Sequence, residues 1–251
     1  MPEVSYTVGL SHMEVNANYI MEKAGHFGIE IKPEQADMFK IYCEMIISRN
    51  RKYNLTRIVG VDRIIEEHFL DSLAGINVAA GMNAKTLLDI GSGAGLPGIP
   101  IKICLPKLKL TIIDSARKKI LFLRELLSRL HQDDVILLHK RAEDFGRGEG
   151  REAYDWVVTR ALAPLVVAAE LALPLLKVGG CFWAFKGSTV REELEQSRAI
   201  IDYCGGEVDG EIEYRLPQSG KDRIILVIRK VRESEERFPR RSGVPQKKPL
   251  R

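Results

Sequence analysis

The segment from Thr86 to Pro100, TLLDIGSGAGLPGIP, constrains the chain more than any other. Thr86, Leu87, Leu88, Asp89 and Ile90 make an apolar run of strand length, and Gly91-Ser92-Gly93-Ala94-Gly95 follows as a turn that needs glycine. Glycine permits positive φ and lets a ligand lie directly against the backbone. Pro97 and Pro100 suit the opening turn of a helix, where a missing N–H costs little. A strand that passes through glycines to a helix N-terminus is a nucleotide-type cradle.

The spacing Gly91-x-Gly93-x-Gly95 departs from the G-x-G-x-x-G of dinucleotide enzymes, and no Gly-Lys-Ser/Thr of a phosphate-clamping loop is present. Alternating glycines after an acidic strand end, here Asp89, are the pattern of methyltransferases that use S-adenosylmethionine. That cofactor carries no phosphate. Its amino-acid end and sulfonium lie against the glycine loop, which makes Gly91, Ser92, Gly93 and Gly95 candidate cofactor residues. An acid on the next strand then holds the ribose hydroxyls. Asp114, closing the run LKLTIID at 108–114, is placed for that role, or for capping the helix that follows it.

Apolar residues recur at helical spacing over 11–26 and 34–50, with Met38, Ile41, Tyr42, Met45 and Ile46 as a stripe, and a third amphipathic helix is expected over 62–76. Residues 1–80 hold no convincing strand and read as a helical cap. From Lys85 onward strand-like runs alternate with helical patterns: 108–114, 135–139, 154–159 and 181–185, then a closing antiparallel pair at 207–215 and 223–229. The expected fold is therefore α/β, a Rossmann-like seven-stranded methyltransferase sheet over residues 81–232 with an N-terminal helical cap. Residues 233–251 are left as a basic tail. In such a sheet the loop after the third strand lies over the adenine, so the backbone of Ala142 and Glu143 can read its edge.

The chain has 251 residues, enough for one large domain with an appendage, and a formal net charge of +4. Four cysteines, Cys43, Cys104, Cys181 and Cys204, stand singly without a Cys-x-x-Cys pair, which argues against zinc or a disulfide framework and suits the cytoplasm. No run approaches a membrane span, and MPEVSYTVGL lacks a signal pattern, so an unprocessed protein with no membrane or metal requirement is expected. A monomer is expected too, since no long exposed heptad run suggests a coiled coil. Residues 237–251 carry six basic residues, three prolines and no acid. They read as an extended, solvated tail with the electrostatic footprint of a nucleic-acid partner.

Enzymes that methylate exocyclic amines place an Asp/Asn-Pro-Pro-aromatic run after the fourth strand, whereas this chain has Thr159-Arg160-Ala161-Leu162. Methylation of pyrimidine carbon needs a cysteine nucleophile, and neither Cys104 nor Cys181 falls in such a loop. A ring nitrogen such as guanine N7 has a free lone pair and needs neither device, so positioning supplies the catalysis. Arg160 can grip guanine O6, a phosphate or the cofactor carboxylate, or can simply pair with a nearby acid. Arg117-Lys118-Lys119 open a helix against its dipole and so invite an anion such as an RNA backbone. Lys186 is expected at the same cleft. His68 reads as a surface or packing residue rather than a base.

LLDIGSGAGLPGIP, TIIDSARKKILFL, RAEDF, VVTRALAPL and WAFKG, with the N-terminal YNLTRI and EHFLDSL, together resemble the bacterial 16S ribosomal RNA guanine-N7 methyltransferases, the RsmG or glucose-inhibited division protein B family. The resemblance extends over nearly the whole chain, the C-terminal FPRRSGVPQKKPL included. It implies S-adenosylmethionine-dependent methylation of a guanine in the 530 loop of 16S rRNA, nucleotide 527, in the RNA or the 30S subunit. By position, the family's cofactor contacts fall on Gly91, Leu96, Ala142, Glu143 and Arg160, and its basic cleft residues on Lys118 and Arg160. Two rival readings are a methyltransferase of another target, which predicts a hydrophobic lid in the N-terminal helices, and a non-catalytic RNA-binding protein that kept only the fold.

Overall fold

The structure is a computed structural model that describes residues 15–250. Its elements in chain order are α1 (Ala17–His26), α2 (Pro33–Tyr53), α3 (Val61–Ile64), a π-helical turn (Ile65–Leu70), α4 (Asp71–Leu73), α5 (Ile76–Ala80), β1 (Thr86–Ile90), α6 (Gly98–Cys104), β2 (Lys109–Ile113), α7 (Arg117–Arg129), β3 (Ile136–Leu138), α8 (Ala142–Gly146), β4 (Tyr154–Arg160), α9 (Leu165–Ala172), a 3-10 turn (Leu173–Leu175), β5 (Leu176–Gly187), α10 (Val190–Tyr203), β6 (Gly206–Arg215), β7 (Asp222–Lys230) and α11 (Val244–Lys247). The seven strands form one sheet in the order β3-β2-β1-β4-β5-β7-β6. β1 to β5 pair in parallel, and β7 lies antiparallel between β5 and β6. This is the expected seven-stranded α/β sheet with N-terminal helices.

Alternation along the strands divides the core. Leu87, Ile112, Trp156, Val158 and Trp183 pack on one face with α2 and α7, while Leu88, Ile113, Val157, Phe182 and Leu226 pack on the other with α9 and α10. A one-residue slip would invert every side chain, so burial of both faces fixes the register. The N-terminal helices share the first of these cores, through Phe39, Tyr42 and Phe69. Chain order reverses beside β1, whose neighbours are β2 and β4, so the carboxyl ends of β1, β2 and β4 open a crevice at the switch point.

Three expectations need correction. The helix expected over 62–76 stops at Leu73, because Gly75 takes a left-handed conformation (φ +79°) and starts α5 afresh. β5 begins at Leu176 rather than Cys181: Leu176 pairs with Tyr154 and Cys181 with Trp156, and an irregularity absorbs the glycines between them. Of the helix expected over 11–26, residues 11–14 lie outside the described residues, and α1 begins after Asn16, whose side chain caps it.

The C-terminal segment is not the expected solvated tail, although Arg251 lies outside the described residues. α9 is an apolar helix with one charge, Glu170, which is 1% exposed. A buried carboxylate needs a cation, and Arg240 supplies one, with Nε and Nη2 donating to the two carboxylate oxygens at 2.8 and 2.6 Å and its backbone N–H adding a third bond at 2.9 Å. Phe238 is buried and stacks on Tyr203 at 5.9 Å between ring centroids, and Arg151 donates to the carbonyls of Ser234 and Phe238. Composition reads as solvated because the partners of Arg240 and Phe238 lie far away in sequence. Replacing Arg240 by alanine strands Glu170 and is expected to lower stability by about 3 kcal/mol in urea denaturation. Arg240→Lys should recover only part of that, since an ammonium cannot match both carboxylate oxygens.

Candidate active site

The loop from Gly91 to Gly98 is held at each turn of its backbone. The N–H of Gly91 bonds the Ile113 carbonyl at 2.8 Å, that of Gly93 reaches Asp114 Oδ2 at 3.1 Å, and that of Gly98 reaches Asp89 Oδ2 at 2.8 Å. From the N-terminal helices, the Tyr42 hydroxyl donates to the Ala94 carbonyl at 2.6 Å. Gly95 (φ +99°) has no room for a side chain: a Cβ there would lie 2.5 Å from Ile99 and 2.7 Å from the Tyr42 hydroxyl. Gly93 (φ +60°) faces open space.

Two clefts meet along this loop and share Gly91, Gly93 and Ala161. The smaller, about 420 Å³, lies between Asp114, Ala142, Glu143, Lys119 and Gln246. The larger, about 580 Å³, runs from Ser92 and Leu96 to Arg57, His68, Asp71, Arg160, Lys186 and Arg223. An acid at the end of β2 and the start of α8 bound the first, the arrangement that receives a nucleoside in a sheet of this kind. Asp89 Oδ1 and Ser92 Oγ are buried beside the loop with no partner among the described residues. Burial pushes the Asp89 carboxyl up to about 7, against the neighbouring Ser92 hydroxyl and the N–H of Gly98, which favour the charged form. Unpaired polar atoms under an open glycine ridge fit an amino-acid-bearing nucleoside, the chemistry of S-adenosylmethionine.

Of the residues expected at the site, Gly91, Gly93, Asp114, Ala142 and Glu143 line the smaller cleft, and Gly91, Ser92, Gly93, Leu96 and Arg160 the larger. Gly95 shapes the loop from behind. Asp114 accepts from Ala116 N–H (2.8 Å) as well as from Gly93, so it joins the glycine loop to the start of α7. Lys118 is exposed and lines neither cleft; its neighbour Lys119 lines the smaller one and donates to the Asn54 carbonyl. One residue along a helix turns a side chain by 100°, which separates the two. Lys186 faces the larger cleft while bonding the Ala163 carbonyl (2.8 Å) and Glu193 (2.7 Å).

Arg160 is paired. Its Nη1 donates to Asp71 Oδ2 at 2.7 Å and to the Glu67 carbonyl at 3.0 Å, and its Nη2 lies 3.1 Å from His68 Nδ1. Asp71 also accepts from the Tyr214 hydroxyl (2.9 Å) and lies 3.4 Å from Arg223, so one carboxylate gathers β4, β6 and β7 against the helical cap. Glu67 binds Arg63 at 2.7 Å and also pairs with Lys221, and Glu66 accepts the N–H groups of Gln218 and Ser219. The π-helical turn and the start of α4 present these three acids within six residues. Asp71, Tyr214 and Arg223 were missed because spacing alone does not show which face of EHFLDSL meets a hairpin far along the chain. Tyr42 stood in the apolar stripe, and nothing in that stripe distinguishes its hydroxyl.

His68 is buried, as a packing residue, but inside the site. Its Nδ1 lies 3.1 Å from both Arg160 Nη2 and the Glu67 carbonyl, and its Nε2 lies 2.9 Å from Thr56 Oγ1. Burial and the Arg160 charge hold it down to about 3.

A family model described as GidB, rRNA small subunit methyltransferase G, matches residues 35–214. The chain belongs to this family. A ribosomal RNA small subunit methyltransferase G from Pelotomaculum thermopropionicum is 44% identical over 95% of this chain and 100% of its own length. Its counterpart from Bacillus cytotoxicus is 40% identical over 94% and 99%. Among solved structures, a putative O-methyltransferase from Klebsiella pneumoniae superposes with a TM-score of 0.57 at 15% identity, covering 86% of this chain and 96% of that one, and shares the fold. S-adenosylmethionine is the cofactor of this chain. Among the described residues no three His, Cys, Asp or Glu side chains gather to hold a metal, and no helix is long and apolar enough to cross a membrane.

Two outcomes follow from this geometry. Tyr42→Phe should weaken S-adenosylhomocysteine binding about threefold in calorimetry, since one buried hydrogen bond to the loop is lost. His68 should stay neutral, its NMR shifts flat from pH 5 to 8. Because the unfolded chain takes up a proton near 6.5 and the folded one only near 3, stability falls as pH drops through that window, by up to about 1.4 kcal/mol per unit. His68→Gln should flatten that slope.

Proposed function

We propose that this chain transfers the methyl group of S-adenosylmethionine to N7 of one guanine in the 530 loop of 16S ribosomal RNA, nucleotide 527. The observation that carries this reading is the makeup of the larger cleft. Its walls bring Arg57, Arg160, Lys186 and Arg223 to the glycine loop, and they contain no cysteine. The sulfonium of the cofactor supplies an activated methyl group. Guanine N7 offers a lone pair and no proton to remove, so the cleft needs to orient the base and exclude water. The neutral, internally bonded His68 suits a site that abstracts no proton.

Arg160 serves as a positioning residue here, tying the end of β4 to the helical cap so that the cleft keeps its shape. Asp114 and the start of α8 hold the nucleoside half of the cofactor, and Ser92 and Leu96 its amino-acid half. Arg57 and Lys118 are exposed and form no ion pair among the described residues, which fits them for phosphates of an RNA substrate. Such a substrate suits a protein of the cytoplasm. Of the helical region expected over residues 1–80, the described residues 15–80 act as the cap of the cleft, and residues 81–232 act as the cofactor-binding domain.

The test is methyl transfer from labelled cofactor to 16S RNA and to 30S subunits that lack the modification. Label at N7 of the 530-loop guanine, reduced at least tenfold in Asp114→Ala, is the expected result. Wild-type protein that binds cofactor but labels neither substrate overturns the target. Arg57→Ala should raise the apparent KM for RNA and lower its salt dependence while leaving cofactor affinity unchanged.

A further inference from the structure

The C-terminal segment passes over α9 and ends beside the smaller cleft. Past the Arg240–Glu170 anchor, the backbone N–H of Gly243 donates to Glu143 Oε1 at 2.8 Å. Glu143 is buried and lines the cleft between Asp114 and Ala142. One turn further, Gln246 on α11 lines the same cleft, and the Arg240 guanidinium donates to the Lys248 carbonyl at 2.9 Å, folding the segment back on itself. The segment therefore touches the cleft twice, once through a residue of α8 and once directly.

We propose that residues 239–248 form a strap that completes the cofactor site: Gly243 fixes the Glu143 carboxylate in place, and Gln246 reads the base of the bound nucleoside. A carboxamide carries a donor and an acceptor side by side, the complement of the N6 amine and N7 of adenine. Glu143 without Gly243 would be a buried carboxylate free to turn into the cleft or recruit water. The proposal rests on assigning the smaller cleft to the cofactor nucleoside and is independent of which RNA is methylated.

The experiment measures binding of S-adenosylhomocysteine and of S-inosylhomocysteine, in which oxygen replaces the N6 amine, by calorimetry. A chain ending at Ser242 keeps Phe238 and the Arg240–Glu170 pair. It is expected to melt within a few degrees of the full chain and to bind S-adenosylhomocysteine about five- to tenfold more weakly, the worth of one or two hydrogen bonds. Gln246 is exposed, so Gln246→Ala folds whatever the truncation does. In that variant affinity for S-adenosylhomocysteine should fall further than affinity for S-inosylhomocysteine, which keeps N7 but lacks the amine, shrinking the preference between them. Unchanged S-adenosylhomocysteine affinity in the Ser242 truncation, or an unchanged preference in Gln246→Ala, overturns the strap. Failure of the RNA target would leave wild-type binding of both compounds intact, so the two results are separable.

Discussion

The site depends on keeping the backbone between β1 and α6 in a conformation that bare chain would not hold. Three of its residues, Gly91, Gly93 and Gly95, have positive φ, and the loop makes few regular hydrogen bonds of its own. What holds it are groups from outside: Asp89 below, Asp114 from β2 and Tyr42 from the helical cap. Each bond satisfies a backbone group that burial would otherwise leave costly. A loop fixed this way presents its amide face before a ligand arrives, so cofactor binding does not have to order it.

The same economy of shared groups links cap and sheet. Asp71 receives Arg160 from β4, Tyr214 from β6 and Arg223 from β7, so the end of the parallel sheet and the closing hairpin meet one carboxylate on α4. Burying a lone carboxylate there would be unfavourable; surrounded by two guanidinium groups and a hydroxyl it becomes a fixed corner of the larger cleft. Burial, with Asp71 beside it, pushes the Tyr214 hydroxyl well above the usual tyrosine range, which keeps it a donor across the range in which the protein works. The helical cap is therefore a wall of the site, and its polar lining runs against the hydrophobic lid that a small-molecule target would predict.

How much of this could be read in advance follows the range of the interactions. β1 was legible to the residue, and the hairpin nearly so, because alternation and glycine placement are local. Asp114 was correctly placed at the end of β2, and its side chain bonds the α7 start as a cap would, but its bond to the glycine loop is a contact that spacing does not show. Arg160 and Lys118 were legible as positions and not as contacts. An arginine after β4 looks the same in sequence whether it awaits a phosphate or is already bound to Asp71, since that partner lies 89 residues earlier in the chain.

The C-terminal segment shows the limit most clearly, since its composition argues for solvent and its contacts argue otherwise. Six cations among prolines cannot make a core of their own, and by local criteria they should stay hydrated. The ordering comes from α9, where an apolar helix buries Glu170 and has no cation nearby in sequence to neutralise it. Arg240 meets that demand from seventy residues away. Once the segment is anchored there, only a few residues of chain separate Arg240 from the smaller cleft, so Gly243 and Gln246 arrive at that cleft as a consequence of neutralising a buried charge. A charge in the core thus sets the position of a wall of the site, and a change at α9 that never touches the cofactor would be felt there.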